Sequence, residues 1–145
     1  FKDVKVNRID AHRGIRNLYI TSDTKDGSII GESGFRLTGS GTFYMHNVKV
    51  DRAIHMISLR EDYGSTWNGK VVVDDVTYVV PKNTRQSSLV QSRNFADGRS
   101  FGYDTYFPDL YLNNITINNT NFASSKDVYV TTLKDVDIII RKSLI

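Results

Sequence analysis

The chain contains no cysteine, which excludes disulfides, thiol nucleophiles and cysteine-based metal centres. That absence fits a particle assembled in the cytosol as well as a secreted protein. Proline is nearly missing too: only Pro81 and Pro108 occur, each at the edge of an apolar run, where a missing N–H costs least. No apolar run approaches the roughly 18 residues of a membrane span, so no membrane insertion is expected. The opening "FKDVKVNRID" has neither an initiating methionine nor the apolar core of a signal peptide, so a fragment of a longer protein is expected. No charge of one sign dominates. The 19 basic and 16 acidic residues are interspersed for a net charge of +3, and the only local excess is the dispersed set Lys82, Arg85, Arg93 and Arg99. A phosphate-tracking surface needs a denser stripe, so nucleic acid is not expected as a partner.

The pattern that is present has period two. Alternating or β-branched runs occur at "VKVNRI", "NLYIT", "FYMHNVKV", "KVVVDDVTYVV", "LYLNNITINN", "DVYVTTL" and "DVDIIIR", separated by Gly, Asn, Asp and Ser clusters. No window carries a helical stripe. The 145 residues therefore read as one nearly all-β domain.

One phrase recurs: an apolar alternation, then Asn or Asp, then apolar–x–apolar. It is centred on Asn17, Asn47, Asp75 and Asn114, and more loosely on Asp135. Each step from one centre to the next falls within the roughly 20–50 residues of stacked repeats. In a solenoid each coil adds a short strand to a continuous parallel sheet. Its bends favour Asn or Asp, whose side chains bond the local backbone and tolerate left-handed φ. Stacked over coils, these residues can form a hydrogen-bonded ladder. The expected fold is a right-handed parallel β-helix over residues 1–145, with a β-sandwich as the alternative. The "NNIT" and "NNT" sequons at Asn114 and Asn118 are read as part of the ladder rather than as glycosylation sites.

The segments "NRIDAHRGIRNLYI", "GSGTFYMHNVKV", "ISLREDYGSTWNGKVVVDD" and "SFGYDTYFPDLYLNNITI" resemble, in this order, a pectate-lyase-like β-helix module. That module occurs in tail fibres, tailspikes and baseplate appendages of phages and prophages of Gram-positive bacteria. The resemblance covers residues 7–120, with "LREDYGSTWNGKVVV" its most specific segment. It implies an elongated, trimer-prone structural module in a virion, beside other tail proteins and in contact with host surface polysaccharide. Outside a virion, a secreted or cell-surface bacterial location follows. Where such modules often carry a cysteine after "FGY", this chain reads "DTYFPDL", so nothing thiol-dependent carries over.

Two functional readings follow, a polysaccharide-binding module and a tailspike-type depolymerase. Hydrolysis needs two carboxyl groups, and a lyase needs a base with a cation beside it. The candidates are Asp10, His12, Glu61 and Asp62, which share one face if "NRIDAH" and "MISLRED" lie in neighbouring coils. Asp10 and Asp62 can equally serve as bend caps or ion-pair partners. Carbohydrate contacts are assigned to Arg60, Tyr63, Trp67, Arg99, Phe101 and Tyr103, because sugar C–H faces pack on aromatic rings and guanidinium groups bind the edges. Trp67 and Phe101 can equally seal the end of a coil. His46 and His55 sit beside apolar neighbours and rank lower. No metal-ligand spacing appears, Asp10, His12 and Asp62 being only a loose set, and neither a metal nor another cofactor is expected.

Overall fold

The computed structural model describes residues 1–12, 14–59, 67–81, 87–92, 95–96, 99–100, 108–119, 128–129 and 138–142. Every regular element among them is a strand: β1 (Lys5–Ala11), β2 (Leu18–Thr21), β3 (Ser28–Leu37), β4 (Gly39–Asp51), β5 (His55–Leu59), β6 (Trp67–Val80), β7 (Ser87–Ser92), β8 (Phe95–Ala96), β9 (Arg99–Ser100), β10 (Asp109–Asn119), β11 (Val128–Tyr129) and β12 (Ile138–Lys142). Ten of the strands form one strongly curled sheet in which every pairing is parallel, while β8 and β9 pair antiparallel by themselves. Parallel pairing throughout departs from the antiparallel sheets of a β-sandwich.

The pairings arrange the strands in three stacks. In the first, Val6, Ile30, Val50, Tyr78, Ile117 and Ile140 lie in register from β1 through β3, β4, β6 and β10 to β12. In the second, Ala11, Leu37, Leu59 and Ser92 follow one another through β1, β3, β5 and β7. The third aligns Leu18, Phe43, Val71 and Leu110 of β2, β4, β6 and β10, and two positions on Ile20, Met45, Val73 and Leu112. These third-stack residues are all buried, so the period-two alternation of each run becomes a column of like residues facing the core. Edge-to-face contacts of Phe43 with Phe35 (centroids 5.4 Å) and with Trp67 (6.1 Å) fill its centre.

The chain returns to the same level of the third stack at Leu18, Phe43, Val71 and Leu110, so each successive turn is longer than the one before. β4, β6 and β10 each turn a corner at one residue, Asn47, Asp75 or Asn114, with φ of 58°, 56° and 51°. Register confirms the stacking of these corners: His46, Asp74 and Asn113 pair in front of them, and Val48, Val76 and Ile115 behind. Asn and Asp are the residues that accept left-handed φ most readily after glycine. Asn114 Nδ2 donates to Asp75 Oδ1, one rung of the expected ladder, whereas Asn47 Nδ2 donates to the Ser22 backbone carbonyl at 2.9 Å.

The first and last members of the recurring phrase differ from expectation. Asn17 precedes the Leu18–Phe43 pair, and its Oδ1 accepts from the Thr42 N–H at 2.9 Å. The corner of that turn comes later, at Ser22, whose N–H donates to the His46 carbonyl at 3.0 Å. A local alternation that looks alike on both sides of a corner hides this shift. At the far end Ile115 pairs with Ile138. A step from Asn114 to Asp135 would have put Val136 opposite it instead.

Candidate functional site

Asp10 lies exposed on β1, in register with Arg36 of β3. Both of its carboxylate oxygens accept from the Arg8 guanidinium, at 2.7 and 2.8 Å, which holds the arginine proton more tightly than usual. His12 is exposed just past β1, and its carbonyl accepts from the Ile15 N–H at 3.2 Å. Trp67 has no exposed surface; its indole N–H points at the carbonyls of Gly41 (3.3 Å) and Lys70 (3.2 Å). A ring so enclosed offers no face to a sugar. Arg60, Glu61, Asp62, Tyr63, Phe101 and Tyr103 lie outside the described residues, as does the side chain of Arg99.

A different set of aromatic residues is brought together on the outside of the third stack. The outward positions between the buried columns are Tyr19, Tyr44, Val72 and Tyr111, in register across β2, β4, β6 and β10. Tyr19 is 51% exposed and meets Tyr44 edge-on, with centroids 6.1 Å apart and planes at 85°. Tyr44 in turn stacks on His46 at 6.3 Å and 23°. Tyr19, Thr21, Thr42, Tyr44, Lys70 and Val72 line a shallow depression of about 610 Å³. Burial, and then the charges of Asp74 and Asp75, raise the Tyr44 hydroxyl above its ordinary pKa and keep it a neutral donor. The face therefore combines flat apolar rings with hydroxyl donors and acceptors and one ammonium group.

Sequence reasoning passed over these tyrosines, although a signal was available. Tyr19, Tyr44 and Tyr111 each stand at the same short offset before a corner residue, Ser22, Asn47 or Asn114. Aligning the first phrase on Asn17 obscured that constant offset.

A second depression, of about 420 Å³, opens over the second stack, with Glu32, Arg36, His55, Ser58 and Gln91 among its lining residues. Glu32 is paired with Arg52 at 3.4 Å.

The corner region holds a third arrangement. His46 Nδ1 lies 3.7 Å from Asp74 Oδ2 and 3.6 Å from Asp75 Oδ2. Among the described residues these three form the one group of three metal-capable side chains whose ligand atoms all lie within 4.8 Å of one another. Sequence spacing concealed the group, because the excursion through β5 separates His46 from Asp74 along the chain while the register of β4 with β6 makes them neighbours.

Comparison of the chain with protein-family models, curated proteins and solved structures finds no match.

Proposed function

We propose that this chain is a module of a right-handed parallel β-helix, of the kind carried by tail-associated proteins of phages and prophages of Gram-positive bacteria. In this reading it binds host surface polysaccharide through the outer face of the third stack. The parallel registers and stacked Asn/Asp corners support the β-helix. The observation that carries the binding function is the in-register row Tyr19, Tyr44 and Tyr111, with Thr42 and Lys70 beside it.

A strand spacing of about 4.8 Å sets Tyr19 beside Tyr44 on a line perpendicular to the strands, with Tyr111 two strands beyond Tyr44 across Val72. A glycan chain running along that line lays its C–H faces on the tyrosines and its hydroxyls against the threonine and tyrosine oxygens. Lys70 supplies a contact for a carboxylate or phosphate of a wall polymer. The same reading makes the module a homotrimer within a virion tail, adjoining other tail proteins, and its primary duty structural.

The test is retention of the purified chain on Gram-positive cell walls and on an array of wall polysaccharides. Tyr44→Ala combined with Tyr19→Ala is expected to weaken binding at least about tenfold, equivalent to roughly 1.4 kcal/mol. Binding that is absent in the parent chain, or unchanged in the double variant, rejects this face as the glycan site.

A depolymerase is the second reading, favoured by the acid, guanidinium and imidazole that line the depression over the second stack. Incubation with the same polysaccharides tests it by chain length: shortened products that persist in the tyrosine variant but vanish in His55→Gln assign cleavage there.

A further inference from the structure

We propose that His46, Asp74 and Asp75 form a three-ligand site for a divalent transition metal, zinc being the occupant that their chemistry fits. This inference rests on the corner geometry and is independent of the glycan-binding reading.

Three features of the backbone assemble the ligands. His46 and Asp74 are register partners on adjacent strands, so their side chains leave the same face about 4.8 Å apart. Asp75 follows Asp74, and in a straight strand its side chain would leave the opposite face. Its left-handed φ of 56° at the corner instead turns its carboxylate toward the same imidazole. Strand and corner positions are rigid supports of the sort on which precise sites are built.

The distances suit a cation between the three groups. Ligands about 2.0–2.1 Å from a tetrahedral zinc lie roughly 3.4 Å from one another. The His46–Asp74 and His46–Asp75 separations of 3.7 and 3.6 Å therefore need only a small closure. Asn114 Nδ2 holds Asp75 Oδ1 and leaves Oδ2 directed at the imidazole. Side-chain exposures of 33%, 42% and 39% leave room for water to complete the shell.

Charge favours the same conclusion. Among the described residues neither Asp74 nor Asp75 has a lysine or arginine partner. The imidazole lies 3.7 and 3.6 Å from the two carboxylates. Its Nε2 faces the Asn47 amide nitrogen at 3.2 Å, and its Nδ1 lies 3.3 Å from the Asp74 carbonyl and beside both carboxylates. A metal held by Nδ1 requires the ring proton on Nε2. The ring gives up its contact with Asn47, which keeps its bond to the Ser22 carbonyl. One imidazole with two carboxylates suits zinc, manganese or cobalt, whereas calcium and magnesium prefer all-oxygen shells.

The experiment is calorimetric titration of zinc chloride into chelator-treated full chain, with cobalt(II) absorption as a second readout. One equivalent of zinc is expected, with calcium and magnesium showing no saturable heat. His46→Gln and Asp74→Asn are each expected to weaken zinc binding at least about tenfold, and Asn114→Ala, which frees the Asp75 carboxylate, about tenfold. His12→Gln, past the end of β1 and outside the group, leaves it unchanged. Trp67 emission checks that each variant is folded, and the near-isosteric Asp74→Asn keeps the test decisive if His46→Gln is not. Absence of a one-equivalent zinc isotherm, an affinity unaltered in folded Asp74→Asn, or equal affinity for calcium overturns the proposal.

Discussion

Replacing Tyr78 by phenylalanine isolates one oxygen atom at a structural corner. Tyr78 is fully buried on β6, between Val50 of β4 and Ile117 of β10. Its hydroxyl hydrogen is shared between the carbonyls of Ala53 and Ile54, each 2.7 Å away, in the connection from β4 to β5. Phenylalanine preserves the ring packing but strips these carbonyls of their donor. An unsatisfied buried polar group costs about 1–3 kcal/mol, so Tyr78→Phe is expected to lose about 2 kcal/mol, or roughly 4–8 °C in Tm. Urea unfolding followed by Trp67 emission, with an unchanged m value, measures the loss.

The same hydroxyl adds a pH signature. Burial raises its pKa far above the ordinary tyrosine value. The unfolded chain releases the proton near pH 10, while the folded chain retains it. The contribution is therefore complete below about pH 10 and declines as pH rises beyond it, by up to about 1.4 kcal/mol per pH unit. The advantage of wild type over Tyr78→Phe is expected to shrink between pH 10 and 11. A loss below about 0.5 kcal/mol at neutral pH, the range of ordinary surface substitutions, refutes the reasoning.

Gly41, with φ of 84°, has no space for a side chain: a Cβ there meets the Arg16 carbonyl oxygen and the Asn17 side chain. Gly41→Ala is expected to cost about 3 kcal/mol or more by thermal unfolding, and Gly41→Asn, which accepts the φ but not the clash, to give no rescue. At the Asn47 corner the order reverses, because conformation matters more than space: Asn47→Ala loses about 1–2 kcal/mol, and Asn47→Gly less, measured by denaturant midpoint. Trp67→Ala empties the region beside Phe43 and is expected to cost about 3–5 kcal/mol, read by far-ultraviolet circular dichroism because the chain's single indole is removed.

Several features were legible without coordinates because they are local. Period-two runs such as "NLYIT" and "KVVVDDVTYVV" bury alternate residues whatever they pair with, and Asn47, Asp75 and Asn114 announce corners through their own backbone preferences. Asn17 misled because an Asn at the start of a strand and an Asn at a corner carry the same flanking alternation. Trp67 kept two readings open because a tryptophan among Gly, Ser and Asn suits a sugar-facing loop and a coil seal alike; the register of β4 with β6, which lays its ring against Phe43, selects the seal.

What the sequence determined by itself is the kind of element and where it bends: strands throughout, parallel stacking implied by a returning phrase, and polar corner residues able to hold left-handed φ. Only the tertiary structure decided which residues meet. Successive turns of the third stack, from Leu18 to Phe43, to Val71 and to Leu110, differ in length, and excursion length carries no register information. Register instead comes from matching the buried columns, since a one-residue slip would turn every core side chain outward. That long-range match sets Tyr19 beside Tyr44, and His46 beside Asp74 and Asp75.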